Sequence, residues 1–115
     1  MKFGIFFELS TPRPFSREVE WQVYHNALEQ CRLADDLGFD HVWAVEHHFL
    51  EEYSHSSAPE VFLSAVAAQT HRIRIGHGAV VCVPEMNHPV RVAERAAALD
   101  IISNGRLEVG TARSS

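Results

Sequence analysis

The sequence predicts an α/β fold in which four parallel strands alternate with three helices. Four short apolar segments alternate along the chain with three longer segments whose apolar residues recur at helical spacing. The connections from helix to strand are short, whereas those from strand to helix are longer and carry most of the polar residues. This β-α-β-α-β-α-β order is typical of parallel strands joined by right-handed helical crossovers.

The predicted strands are rich in aromatic and β-branched residues, and they cover residues 2–7, 39–45, 73–83 and 106–111. The third strand contains Gly76 and Gly78, which have two interpretations of equal weight. They mark either a bulge where a neighbouring element packs, or a place where a flat ligand approaches bare backbone.

The predicted helices cover residues 17–37, 58–71 and 89–103. Gly38 is expected to end the first helix in a left-handed conformation. Residues 57–60, Ser-Ala-Pro-Glu, have the form of a capping box for the second helix, and Asn87 is the expected N-cap of the third.

Composition limits the classes of partner. The net charge is −5, with one lysine and nine scattered arginines, so no basic stripe exists for a nucleic-acid backbone. Cys31 and Cys82 lie in apolar periodic segments and are interpreted as buried thiols in a reducing compartment. No segment is long enough to cross a membrane and no signal-peptide cleavage site is visible, so we expect a soluble cytoplasmic protein.

Candidate functional residues follow the predicted strands. The carboxyl ends of parallel strands meet at one edge of a sheet, where α/β proteins place their chemistry. The second strand stops at Glu46, His47 and His48, Glu8 ends the first, and Arg113 follows the fourth. Because imidazoles exchange protons near neutral pH, this edge is predicted to be the functional one.

Three other kinds of site are disfavoured. Strand alternation places His47 and His48 on opposite sides, whereas a metal site needs converging imidazoles, so no metal is expected. No Ser or Cys stands in a G-x-S-x-G turn, which argues against a nucleophilic triad. No G-x-G-x-x-G opens a helix, which argues against a dinucleotide fold.

Five short motifs along the chain are informative as a set, because of their order and their spacing. They are residues 1–4 (MKFG), 38–43 (GFDHVW), 46–49 (EHHF), 88–94 (HPVRVAE) and 99–106 (LDIISNGR). Taken together they resemble the amino-terminal part of the bacterial luciferase-like, flavin-dependent monooxygenases, which include the alkanal monooxygenases. The resemblance extends over essentially all 115 residues.

The resemblance implies the amino-terminal half of a (β/α)8 TIM barrel, with residues 1–115 as a partial barrel domain containing strands one to four. A complete barrel needs about 250 residues, so a piece of this length is expected to be inactive by itself and to self-associate. The family implies reduced FMN as cofactor, bound at the carboxyl ends of the strands. Dioxygen then forms a peroxyflavin, from which one oxygen atom is inserted into an organic substrate such as an aldehyde.

The resemblance also implies roles for individual residues. His47 matches the catalytic histidine that manages protons, with Glu46 and His48 in support. Gly78 and Ala79 match a non-prolyl cis peptide beneath the flavin ring, and Arg113 matches an arginine that contacts the FMN phosphate. Ala112 stands where the luciferases carry a reactive cysteine, so light emission is not expected while monooxygenation still is.

Partners and alternatives complete the prediction. The helices at 58–71 and 89–103, or the open sheet edges, are expected to form a homo-oligomer, and a flavin reductase is an expected partner. Three alternatives stay open: an oxidoreductase of the same superfamily that uses the deazaflavin F420, a non-catalytic flavin-binding or dimerisation module, and a small open flavodoxin-like sheet.

Overall fold

The computed structural model of the chain describes residues 1–113 and contains the predicted alternation of strands and helices. The elements are β1 (Gly4–Phe7), α1 (Arg17–Leu37), β2 (His41–Ala44), α2 (Pro59–Gln69), β3 (Arg74–Val81), α3 (Pro89–Ile102) and β4 (Leu107–Ala112). The strands are parallel and lie in the order β1-β2-β3-β4. This confirms the α/β prediction. The flavodoxin-like alternative is wrong, because that fold reverses its strand order within the sheet.

The two faces of the sheet differ in what covers them. The strand register aligns Ile5, Val42, Ile75 and Leu107 across all four strands, and this row packs in the core that also includes buried residues of α1, α2 and α3. The opposite face carries Phe6, which is 55% exposed. Sequential parallel strands with their helices on one face are the arrangement with which a (β/α)8 barrel begins.

The predicted end of α1 is correct, whereas the caps predicted for α2 and α3 are not. Ser16 caps α1 by accepting from the backbone N–H of Val19, and Gly38 ends it at φ 89°. The capping box predicted for α2 is wrong, because its N-cap is Ala58 and no side chain bonds there. The cap predicted for α3 is also wrong: His88 holds that position, and its Nδ1 accepts from the N–H of Val90.

Polar side chains hold the amino-terminal edge of the sheet. The carboxylate of Asp35 accepts from the backbone N–H groups of His71 (2.7 Å), Arg72 (3.1 Å) and Ile73 (2.6 Å) and so fixes the connection from α2 to β3. Arg106 donates to the carbonyl oxygens of Ala67 (2.8 Å) and Ile73 (2.9 Å) and links β4 to the same connection. These contacts lie at the amino-terminal edge of the sheet, whereas the long strand-to-helix loops lie at the carboxyl-terminal edge.

The structure also places both cysteines. Cys31 is fully buried, as predicted, and burial raises the pKa of its thiol to about 12. Cys82 is only half-buried, because it lies just past the end of β3. Within residues 1–113, no helix combines the length and the apolar character needed to cross a bilayer.

Candidate active site

A cavity of about 420 Å³ opens at the carboxyl-terminal edge of the sheet, where the loops 45–58 and 82–88 meet. Its apolar wall includes Val45, Leu50, Val81 and Met86. All six residues singled out in the sequence line it together: Glu46, His47, His48, Gly78, Ala79 and Arg113. The sequence thus predicted residues that lie far apart in the chain and close together in space.

The floor of the cavity comes from the end of β3. The Gly78–Ala79 peptide bond is cis, as the resemblance implies, and the pairing of β3 with β4 is irregular between His77 and Val80. A Cβ at Gly78 would lie 3.2 Å from the ring of Phe6. Gly78 and Ala79 both line the cavity, and neither carries a side chain larger than a methyl group.

Gly76 has a different explanation from Gly78. A Cβ at Gly76 would overlap the ring of Trp43 on the neighbouring strand. The packing interpretation therefore holds for Gly76. Gly78 lies where the pairing of β3 with β4 is irregular and also lines the cavity, and the approach of a ligand to it stays a prediction.

Glu46 and His48 form a fixed pair. Nε2 of His48 lies 2.8 Å from Oε1 of Glu46, whose side chain is almost completely buried. The other carboxylate oxygen of Glu46 accepts from the backbone N–H of Val81 at 2.8 Å. The buried carboxylate is thus hydrogen-bonded through both oxygens, as a buried charge must be to remain stable.

His47 has a separate carboxylate partner. Its Nε2 lies 3.5 Å from Oε2 of Glu8, at the end of β1, and its ring meets that of Tyr53 edge-on at 5.6 Å. Oε2 of Glu8 is buried and has no hydrogen-bond partner in the part of the chain described. The expectation that Glu46 supports His47 is therefore not what the geometry favours, since Glu46 contacts His48 and Glu8 faces His47.

The sequence reasoning missed Asn87 and Arg95. Nδ2 of Asn87 donates to Oε1 of Glu46 at 2.6 Å and to the carbonyl of Val81 at 3.0 Å. Its Oδ1 accepts from Arg95 at 2.6 Å. Asn87 was predicted as a helix cap because Asn before Pro is a common start signal, and no sequence pattern pointed from it to Glu46.

A buried imidazole lies behind the cavity floor. His77 is 5% exposed, and its Nδ1 has no hydrogen-bond partner among residues 1–113. Burial lowers the pKa of His77, and the carboxylates of Glu60 and Glu46 offset this only in part. His77 is therefore held as the neutral ring.

Arg113 is a lining residue from the end of the fourth strand. It is exposed and lines the cavity beside Ala112, at the carboxyl end of β4. Its guanidinium has the planar fork of donors that recognises phosphate. In residues 1–113, no three His, Cys, Asp or Glu side chains converge as metal ligands would.

Comparison with known proteins agrees with the resemblance seen in the sequence. The family model described as luciferase-like monooxygenase matches residues 1–115. The oxygenase component of flavin-dependent trigonelline monooxygenase from Acinetobacter baylyi is 36% identical over an alignment of 117 positions, which covers 100% of this chain and 31% of that protein. The chain therefore spans about a third of the length of the curated relatives it matches.

Solved structures show the same fold. The monooxygenase RslO1 from Streptomyces bottropensis superposes with a TM-score of 0.86 at 43% identity, over 100% of this chain and 34% of that one. The coenzyme F420 dependent tetrahydromethanopterin reductase from Methanopyrus kandleri superposes with a TM-score of 0.71 at 26% identity, over 96% of this chain and 26% of that one. With a family match over its whole length, the chain belongs to the luciferase-like monooxygenases.

Proposed function

We propose that this chain provides one side of the cofactor and catalytic site of a flavin-dependent monooxygenase that oxidises a small organic molecule with O2. The observation that carries the proposal is the cavity at the carboxyl-terminal edge, which brings His47 together with Gly78, Ala79 and Arg113. Its volume of about 420 Å³ lies in the range of small-molecule sites.

The lining of the cavity fits reduced FMN. An isoalloxazine ring is flat and largely apolar, and the Gly78–Ala79 backbone with the side chains of Val45 and Val81 offers a surface of that kind. Arg113 would hold the phosphate through charge-assisted hydrogen bonds. When bound, the reduced flavin supplies the electrons that activate O2, so that one oxygen atom is transferred to the substrate and the other leaves as water.

The two histidines support this reaction in different ways. His47 is partly exposed, and a carboxylate lies beside its Nε2, so its ring can take up and release a proton next to the cofactor. His48 is fixed by Glu46 and forms part of the wall. We assign proton transfer to His47 and support of the cavity to Glu46 and His48.

The remaining proposals concern the protein as a whole. We propose an organic substrate such as an aldehyde, a separate flavin reductase that supplies reduced FMN, and a cytoplasmic location. We also propose a homo-oligomer formed through α2 and α3. The exposed methyl groups of Ala68, Ala93 and Ala97 support this assignment, because small side chains let helices approach closely.

Substitution of His47 tests the catalytic assignment. In the protein at its full natural length, we expect His47→Ala to reduce oxygenation by about a hundredfold, the effect of removing a general acid–base group, and to leave the affinity for FMN nearly unchanged. Flavin titration by fluorescence quenching and product formation measure the two quantities. The control is His25→Ala, which removes an exposed imidazole on α1 that does not line the cavity. Equal loss of affinity and activity in His47→Ala would show a structural role instead.

An F420-dependent oxidoreductase is the second candidate, and the reductase from Methanopyrus kandleri is the observation that favours it. Parallel titrations with FMN and F420 separate the two. Preference for FMN together with oxygen-dependent product supports the monooxygenase, and preference for F420 supports the second candidate. Flavin binding without any product would point to the non-catalytic flavin-binding module.

A further inference from the structure

A continuous series of side-chain hydrogen bonds runs from α2 through α3 to the cavity wall. Oε1 of Glu60 accepts from Arg95 at 2.9 Å, and Arg95 donates to Oδ1 of Asn87 at 2.6 Å. Nδ2 of Asn87 donates to Oε1 of Glu46 at 2.6 Å, and Nε2 of His48 lies 2.8 Å from the same oxygen. We refer to these five residues as the Glu60–His48 chain.

The chemistry of each member fixes the direction of the bonds. A guanidinium can only donate, so the oxygen of the Asn87 amide must face Arg95 and its NH2 group must face Glu46. Glu46 then accepts from Asn87 through Oε1 and from the N–H of Val81 through Oε2. A carboxylate can only accept, so the remaining contact at Oε1 is donated by Nε2–H of His48.

We propose that Arg95 is a positioning residue for the candidate active site, because it orients Asn87, which in turn holds Oε1 of Glu46 against the Nε2–H of His48. The effect on turnover rests on the proposed function, whereas the effect on the proton of His48 does not.

Helix α3 contains a second arginine, Arg91, which serves as a matched control for Arg95. Arg91 lies one turn before Arg95, and its ion pair with Glu94 is on the exposed surface. The side chain of Arg95 is 34% exposed and that of its partner Glu60 is 23% exposed. Arg91→Met and Arg95→Met therefore make the same chemical change on one helix, and only the second breaks the Glu60–His48 chain.

The test measures which ring nitrogen of His48 carries the proton, by long-range ¹H–¹⁵N correlation in the protein at its full natural length, with His48→Gln to assign the signals. We expect Nε2 to be protonated in the wild type and in Arg91→Met. In Arg95→Met the Nε2–H signal of His48 should shift and broaden, because Asn87 no longer holds Glu46 in place. Asn87→Leu breaks the chain one bond nearer to His48 and should give the same change, which keeps the test decisive if Arg95→Met does not fold. A wild-type proton on Nδ1, or wild-type shifts in the folded chain-breaking variants, would overturn the proposal.

Turnover and FMN affinity, measured on the same variants, separate the two proposals. We expect about a tenfold loss of turnover in Arg95→Met and none in Arg91→Met, since small displacements of groups around a site reduce rates on this scale. If the wild type does not bind FMN while the His48 signals still change in Arg95→Met, the proposed function fails and the positioning role stands. If FMN binds and those signals do not change, the positioning role fails alone.

Discussion

The buried imidazole of His77 should make the stability of the protein depend on pH. Because its pKa is lower in the folded state than in the unfolded chain, the unfolded chain binds the proton first as the pH falls. Stability from this residue is therefore complete above the unfolded pKa of about 6.5 and is lost progressively below it. One such proton contributes a slope of at most about 1.4 kcal/mol per pH unit.

Denaturant unfolding between pH 8 and pH 5 measures this slope. We expect His77→Leu to flatten the fall in unfolding free energy below pH 6.5 relative to the wild type. His25→Leu serves as the control, because His25 is exposed. The same slope in the wild type and His77→Leu would show that the folded protein protonates His77 as readily as the unfolded chain does.

The roles of individual site residues could be predicted only in part from the sequence. The sequence separated His47 from His48 by strand alternation, and the structure gives them different carboxylates, Glu8 and Glu46. The partners themselves could not be read from the sequence. Glu8 reaches His47 only because β1 and β2 pair in one particular register, and side-chain contacts of this kind are set by packing in three dimensions.

Among the elements, the connection between α2 and β3 depends on Asp35 near the end of α1. Burial raises the pKa of Asp35, but the backbone N–H groups of His71, Ile73 and Arg72, together with the charge of Arg72, lower it by more, so its net pKa is below the ordinary value. Replacing the carboxylate by an amide directs an NH2 group or a weaker acceptor at these N–H groups. We expect Asp35→Asn to lower the unfolding free energy by about 1–3 kcal/mol near neutral pH, the cost of leaving buried donors unpaired.

A neighbouring residue supplies the control for Asp35→Asn. Asp36 is exposed, so Asp36→Asn removes the same charge without disturbing the connection and should change stability little. Chemical denaturation at pH 7 and at pH 3 measures both variants. The difference between them should shrink at the lower pH, because the pKa of Asp35 is lower in the folded protein, so the unfolded wild-type chain takes up the proton first and the wild type loses stability. Equal stability of the two variants at pH 7 would contradict the role given to Asp35.

The positions of the helices and strands were predictable because the spacing of apolar residues indicates which residues are buried. Those buried residues form the core of this fold. The residues of α1 were predicted without error, and Gly38 ended it as expected. The caps of α2 and α3 were not predictable, because a cap depends on where neighbouring elements need hydrogen bonds. Asn87 has the side chain of a helix cap, but Glu46 and Val81 lie close enough to take both of its N–H donors.

At the scale of the whole molecule, one face of the sheet has no layer packed on it within the described residues. Phe6 on this face is 55% exposed, and β1 and β4 each leave one edge without a strand partner in residues 1–113. Exposed apolar faces and open parallel edges both favour association between chains. We therefore expect the 115-residue polypeptide, expressed by itself, to self-associate in solution.

Size-exclusion chromatography with light scattering measures this association. If the apolar face drives it, Phe6→Ser should lower the apparent mass at a given concentration, whereas Trp21→Ser, which removes an exposed aromatic side chain from α1, should not. If the open edges drive it, both variants should remain associated, and proline at Val109 in β4 should weaken the assembly. The carbonyl of Arg106 faces β3, so strand alternation directs the N–H of Val109 to the open edge, where proline removes it. A folded monomer at micromolar concentrations would contradict the expectation, because its uncovered face and edges would then be stable in water.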